Sequence, residues 1–154
     1  MTRPLVILTQ AMTCASLAER VEIRRAPGDA ESFDVLAHGT AAETLGLALD
    51  RPSCTHAVVL AAAMPPEDTA LVDRFAGLKI PTLTLFGTRD RTVPPETGRR
   101  WRALLPGSHV FFLYDAGHDL AADRPQAFAD IVLDFLCDPV AFLVNRRDGR
   151  LQQE

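Results

Sequence analysis

Cysteine and lysine are scarce in this sequence, and their scarcity excludes several classes of protein. The three cysteines, Cys14, Cys54 and Cys137, lie far apart and form no C-x-x-C pair. The sequence therefore predicts neither a zinc ribbon nor a disulfide framework, and reduced thiols in a cytoplasmic protein are the simplest interpretation. Lys79 is the only lysine among 16 basic residues, and the net charge of −4 argues against a general nucleic-acid binder, which needs a basic face.

Long hydrophobic runs are missing as well. The apolar run near the N-terminus, residues 5–8, is too short for a signal peptide. No apolar segment approaches the roughly 20 residues of a membrane span, so no membrane partner is expected. The residue pattern also predicts no cofactor and no metal site.

The composition that remains is that of a globular domain. The chain has 154 residues, of which 47% are hydrophobic and 23% charged. This length predicts one domain, which we place at residues 1–138, followed by a C-terminal tail at residues 139–154.

Short apolar runs rich in β-branched residues recur along the chain. They occupy residues 5–8, 21–23, 34–37, 57–62, 82–86 and 110–114. Apolar runs without alternation suit strands that are buried on both faces, and helical patterns lie between several of them. The sequence therefore predicts a doubly wound α/β fold, with a mostly parallel six-stranded sheet and helices on both faces.

The helical patterns differ in clarity. Residues 13–21, 40–50 and 94–105 are predicted to be helical, whereas residues 64–79 are interpreted as a connector. The last helix has the clearest pattern, and Asp123 with Gln126 resembles a capping box at its start.

Polar residues follow several of the predicted strands. In a parallel sheet, sites form at the carboxyl ends of the strands. Asp90 follows the fifth run and His118 the sixth, so an acid and a histidine are predicted to meet on one rim. The carboxylate would accept one imidazole N–H and leave the other nitrogen free to take a proton. Each residue alone is also compatible with an ordinary turn.

Two motifs at this rim carry a resemblance to a known family. Residues 87–94 read G-x-x-D-x-x-V-P, and a Gly-His pair at 117–118 precedes the last helix. Together they resemble the C-terminal half of the α/β-hydrolase superfamily, and the likeness extends from Leu5 to Leu136. The resemblance implies that Asp90 and His118 are the acid and the histidine of a catalytic triad.

The nucleophile position departs from the family pattern. The family's elbow reads G-x-S-x-G, whereas residues 37–41 read AHGTA, so Gly39 stands where the serine would be. Thr40 stands where the family supplies a backbone oxyanion N–H, and Thr9-Gln10 replaces its His-Gly pair. The resemblance thus implies a shortened, capless member in which Thr9, Gln10, Gly39 and Thr40 line the substrate site.

One residue is the candidate for a relocated nucleophile. Cys14 lies near a predicted helix N-terminus, where a thiol pKa can fall, although a buried structural thiol is the favoured interpretation. Thr40 is interpreted as the first residue of its helix rather than as a nucleophile. His38, before the elbow, is interpreted as structural.

Two functions remain open. The first is an enzyme acting on a small-molecule or acyl-type substrate, carrier-bound substrates included, through a His118–Asp90 general acid/base dyad. Hydrolysis by an activated water, cyclisation or elimination would fit. The second is a non-catalytic relative that binds or scaffolds. A homo-oligomer is expected in either case, because a missing hairpin and cap would expose sheet edge.

Overall fold

Strands and helices alternate along the chain in a computed structural model that describes residues 4–9 and 12–142. The elements are β1 (Leu5–Leu8), α1 (Ala15–Ala18), β2 (Glu22–Arg24), β3 (Phe33–Thr40), α2 (Ala42–Asp50), β4 (Thr55–Met64), α3 (Thr69–Leu78), β5 (Thr82–Gly87), α4 (Thr97–Leu104), β6 (His109–Leu113), α5 (Leu120–Asp123) and α6 (Pro125–Cys137). Each of the six predicted strands overlaps a strand of the structure.

The strands form one sheet in the order β2-β1-β3-β4-β5-β6, and every neighbouring pair is parallel. This confirms the predicted fold class. The chain first winds outward from β1 to β2 and then returns to place β3 on the other side of β1. The direction of winding therefore changes between β1 and β3, and a crevice opens at the carboxyl ends of strands at such a point.

The sheet is covered by helices on both faces, as predicted. One apolar cluster joins the sheet to α1, α5 and α6, with Leu17 and Phe128 fully buried. The other joins it to α2, α3 and α4, with Leu45 and Trp101 fully buried. Burial on both faces explains why the strand sequences are continuous apolar runs.

Two predictions about the helices were wrong. Residues 64–79 were predicted to be a connector, but they contain the ten-residue helix α3. Asp68 begins that helix, and its side chain accepts hydrogen bonds from the backbone N–H groups of Ala70 and Leu71. Thr40 was predicted to begin a helix, but it is the last residue of β3 and α2 begins at Ala42.

The predicted capping box at the last helix is also wrong. A separate short helix, α5, precedes α6, and Asp119 accepts the capping hydrogen bond from Ala122 N there. Helix α6 begins with Pro125 at its first position and receives no side-chain cap. The Asp123 carboxylate instead accepts a hydrogen bond of 2.7 Å from Gly117 N, so it supports the loop that carries His118.

The first residues of the predicted tail pack on the domain. Phe142 is buried, and its ring lies 5.4 Å from that of Phe135. The domain boundary at Asp138 stays a prediction, and residues 143–154 lie outside the described residues. Among the residues that are described, none of the helices has the length and apolar character needed to cross a membrane.

Candidate active site

Asp90 is held rigidly in the turn that follows β5. Its side chain is fully buried. Oδ1 accepts hydrogen bonds from Thr92 N at 2.8 Å and Val93 N at 2.9 Å. These two donors occupy one carboxylate oxygen and fix the plane of the group, so the second oxygen, Oδ2, has a defined direction.

His118 lies against that second oxygen. Its Nδ1 is 3.0 Å from Asp90 Oδ2, so the contact predicted from the shared rim is present. Because the carboxylate oxygens accept, Nδ1 donates, and a neutral His118 ring then carries its lone pair on Nε2. The His118 side chain is 36% exposed, compared with 0% for Asp90. The pair therefore combines a buried acceptor with an imidazole that solvent can reach.

Hydrogen bonds donated by backbone N–H groups join the loop of Asp90 to the loop of His118. Arg89 N donates to Ala116 O at 2.9 Å, and Asp115 N donates to Thr88 Oγ1 at 2.9 Å. Gly87 makes this close approach possible, because a Cβ at that position would collide with the backbone carbonyls of Ala116 and Gly117. The glycine of the G-x-x-D turn thus has a steric role that sequence reasoning did not identify.

His38 supports the same loop from β3. Its Nε2 donates to the backbone carbonyl of His118 at 2.8 Å. The two imidazole rings also meet edge to face, with 4.9 Å between their centroids. Sequence reasoning interpreted His38 as structural, and this contact shows which element it holds: the backbone of the candidate base.

Gly39 has the backbone conformation expected of a strained elbow. Its φ is +87°, a value that an L-residue with a side chain rarely adopts. Thr40, the next residue, is exposed. Gly39 therefore brings no hydroxyl or thiol to the turn between β3 and α2.

Of the two other predicted substrate-site residues, Thr9 and Gln10, only Thr9 belongs to the described part of the chain. Thr9 is half-buried at the end of β1, and its Oγ1 lies 2.9 Å from Thr44 Oγ1 in the first turns of α2. The structure thus places Thr9 beside the helix that follows the elbow. Gln10 lies outside the described residues, so its predicted role stays a prediction.

The environment of Cys14 disfavours its thiolate on balance. It is buried in the apolar cluster on the α6 face of the sheet, next to the four-residue helix α1. Loss of solvation raises the pKa of the Cys14 thiol and outweighs the hydrogen bonds from the backbone of Leu17 and Ser16, and the nearby Asp119 charge adds to the rise. The structure thus differs from the lowered thiol pKa that its place near a helix N-terminus suggested, and favours the structural interpretation. Within the described residues, no group of three or more His, Cys, Asp or Glu has an arrangement that could hold a metal ion.

Comparison with known proteins gives a family match and several relatives. Residues 47–141 match a family model described as "TAP-like protein", an α/β-hydrolase family. The chain is 35% identical over 75 residues to 2-hydroxy-6-oxononadienedioate/2-hydroxy-6-oxononatrienedioate hydrolase 2 of Pseudomonas putida, covering 49% of this chain and 26% of that protein. It is 38% identical over 56 residues to an uncharacterized hydrolase of Bacillus subtilis (strain 168), covering 36% of this chain and 20% of that protein. The matched segments thus span only about a quarter of these relatives.

Solved structures with the same fold are more distant in sequence. The 2-hydroxy-6-oxo-6-phenylhexa-2,4-dienoate hydrolase of Rhodococcus sp. strain RHA1 superposes with a TM-score of 0.65 at 14% identity, covering 86% of this chain and 90% of that chain. An α/β-hydrolase from a sediment metagenome of the Mar Chica lagoon superposes with a TM-score of 0.66 at 14% identity, covering 90% and 92%. At such identities the likeness establishes the fold.

Proposed function

Because the chain belongs to the TAP-like family of α/β-hydrolases, we propose that it hydrolyses a small acyl-type substrate with His118 as the general base and Asp90 as its orienting partner. Water takes the part that a serine plays at the elbow of other members. Gly39, at the elbow position, has no side chain that would take the place of that water.

The observation that carries this proposal is the geometry of the His118–Asp90 pair. The carboxylate is buried, one of its oxygens is saturated by two backbone N–H groups, and the other meets Nδ1 at 3.0 Å. Such a carboxylate fixes the imidazole tautomer and stabilises the imidazolium that forms when Nε2 takes a proton. A histidine that served only as a turn residue would not require this set of contacts.

The reaction that fits these residues has two proton transfers. His118 Nε2 removes a proton from water while the water oxygen attacks the substrate carbonyl, which gives a tetrahedral oxyanion. The imidazolium, held by Asp90, then returns that proton to the leaving group as the carbonyl reforms and the bond to that group breaks. From an ester the products are a carboxylic acid and an alcohol; from a 6-oxo dienoate the bond between C5 and C6 breaks, the proton goes to C5, and the products are a carboxylic acid and a shorter hydroxydienoate. In both cases the dyad returns to its starting state.

The names of the relatives suggest a class of substrate. Two of them are hydrolases of 2-hydroxy-6-oxo dienoate compounds, which are small carboxylates with a reactive carbonyl group. We therefore extend the proposal to a small organic acid, or its ester, that carries such a carbonyl.

The test uses the second histidine–aspartate pair of this chain as a matched control. His56 Nδ1 lies 2.9 Å from Asp34 Oδ1, at the start of β3 and β4 and thus at the opposite edge of the sheet. Hydrolysis of p-nitrophenyl acetate and of 2-hydroxy-6-oxo-6-phenylhexa-2,4-dienoate would be measured for the parent, His118→Ala and His56→Ala. We expect His118→Ala to lower kcat/KM by about 10²- to 10⁴-fold, the usual contribution of a general base, and His56→Ala to leave it unchanged.

Two further results would separate this proposal from its alternatives. A fluorophosphonate probe should leave the parent unlabelled, since a labelled Thr40 or Cys14 would reveal a relocated nucleophile. Equal turnover in the parent and in His118→Ala would show that the His118–Asp90 pair does not catalyse the reaction. No turnover of either substrate by the parent, together with normal folding, would instead favour the non-catalytic binding or scaffold protein.

A further inference from the structure

An apolar cleft of about 440 Å³ lies at the edge of the sheet opposite the candidate active site. It is bordered by Thr82 and His109, the first residues of β5 and β6. Because the sheet is parallel, these strand starts face away from the carboxyl-end rim that carries Asp90 and His118. The cleft is therefore a separate site, and its volume falls within the range typical of pockets for small organic ligands.

The wall of the cleft is mostly apolar. It is formed by the C-terminal ends of α3 and α4, the loops that follow them, and the residues after α6. The apolar side chains that line it include Phe75, Ile80, Pro81, Leu105, Pro106 and Val140. Val140 is 70% exposed, and a ligand in the cleft would cover part of it.

Ser108 borders this wall, and its hydroxyl is buried behind it. Its residue is only 8% exposed, and Oγ finds no hydrogen-bond partner among residues 4–9 and 12–142. Buried polar groups are nearly always paired, so this hydroxyl would gain a partner from a ligand in the cleft if rotation about its Cα–Cβ bond turned it toward that ligand. The hydroxyl can donate to an oxygen of that partner.

Lys79 gives the cleft its charge. It is the only lysine of the chain, and it follows α3 in a left-handed conformation with φ of +55°. The side chain is exposed, and in the described part of the chain no carboxylate forms an ion pair with it. The residues that line the cleft include no aspartate or glutamate, so the ammonium is not neutralised locally.

We propose that this cleft binds a small amphipathic carboxylate, such as a medium-chain fatty acid anion. The apolar body packs against Phe75, Leu105 and Val140. Once the Ser108 side chain has rotated toward the cleft, one carboxylate oxygen accepts a hydrogen bond from its Oγ, and Lys79 balances the charge. This combination of an apolar wall, a buried donor and one cation selects an anion with a hydrophobic body over a neutral or a fully polar molecule.

The test uses full-length protein and two ligands. The fluorescent anion 1-anilinonaphthalene-8-sulfonate would be titrated into the parent, and octanoate would then be added to displace it. We expect saturable one-to-one binding that survives His118→Ala, since that variant alters only the opposite rim. Lys79→Gln should weaken both ligands about three- to fivefold, the effect of one partly exposed ion pair. Arg99→Gln, which removes a positive charge from an exposed position on α4 outside the cleft, should not change the affinity.

Ser108→Ala gives a result that a merely structural serine would not give. The variant should weaken octanoate binding about threefold or more, while the melting temperature of the ligand-free protein rises because an unpaired buried hydroxyl has been removed. A lowered melting temperature would show that Ser108 already has a partner, and would overturn the proposal. Non-saturable binding, equal affinities in Lys79→Gln and Arg99→Gln, or binding abolished by His118→Ala would overturn it as well.

Discussion

Replacing Gly87 with alanine should separate the two halves of the candidate dyad. The added methyl group would collide with the backbone carbonyls of Ala116 and Gly117, which cannot move without moving the loop that ends in His118. Forcing one methyl group into a packed backbone contact costs about 1 to 3 kcal/mol. For a domain of this size that lowers the melting temperature by about 2 to 4 °C per kcal/mol. The shifted loop should also lengthen the contact of 3.0 Å between His118 and Asp90.

Gly46 provides the matched control, because it lies in α2 and a Cβ there would meet nothing within 4 Å. Gly46→Ala should stabilise the protein by about 0.5 to 1 kcal/mol, since alanine is the better helix former. Urea denaturation would give both free energies of unfolding, and the NMR signal of the His118 Nδ1 proton would report its hydrogen bond to Asp90. If Gly87→Ala were as stable as Gly46→Ala and its Nδ1 proton signal matched that of the parent, the steric argument would be refuted.

A buried carboxylate, the elbow and the sheet edges each give a further expected outcome. Burial raises the pKa of Asp34 above its ordinary value of 3.8, so the folded protein binds this proton more tightly than the unfolded chain does. The stabilisation that results is fully present below pH 3.8 and is lost as the pH rises through the raised pKa. Asp34→Asn should remove this loss and raise the melting temperature at pH 7. If the stability of the variant between pH 3 and 8 followed the same pH dependence as that of the parent, this expectation would be wrong. Gly39→Ser should fold at a strain cost of about 1 kcal/mol and gain fluorophosphonate labelling, and a folded but unlabelled variant would show that His118 is not aimed at the elbow. Light scattering should detect a dimer, because β2 and β6 leave two sheet edges unpaired among the described residues, and a monomer at every concentration would exclude this.

The strands could be predicted because their signal is local. The run at residues 5–8 coincides with β1, since an apolar strand buried on both faces ends where polar residues begin. The prediction for β4 covered residues 57–62, whereas the strand is Thr55–Met64, because its first residues are polar. Helix α3 was missed although Asp68 stands at its start and Leu71, Val72 and Phe75 follow at helical spacing. An N-cap residue followed by apolar residues at helical spacing is the sequence signal that would have predicted this helix.

The candidate site was only partly predictable from the sequence. Asp90 and His118 follow neighbouring strands, so parallel topology alone brings them to one rim. The hydrogen bond from His38 to the backbone of His118 joins residues 80 positions apart, and no local pattern marks a side chain that binds a backbone carbonyl. The role of Asp123 could not be predicted for a related reason. Its position in the sequence suits a helix cap, whereas its carboxylate accepts a hydrogen bond from Gly117 N in the loop before it.

The two histidine–aspartate pairs of this chain show that position, rather than residue type, assigns the chemistry. At the carboxyl edge, Asp90 receives two backbone N–H donors and orients a histidine that also rests on His38. At the amino edge, burial dominates over the contacts with His56 and with the backbone of Ala57, so the pKa of Asp34 is raised and its charge is costly. His56 is half-exposed and lies at the start of its strand, away from the turn between β3 and α2. Among the described residues, no second histidine ring packs against it. A pair whose carboxylate is compensated by the backbone can support an imidazolium, and a pair whose carboxylate charge is itself unfavourable supports it less well. The difference is the reason to expect turnover to depend on His118 and not on His56.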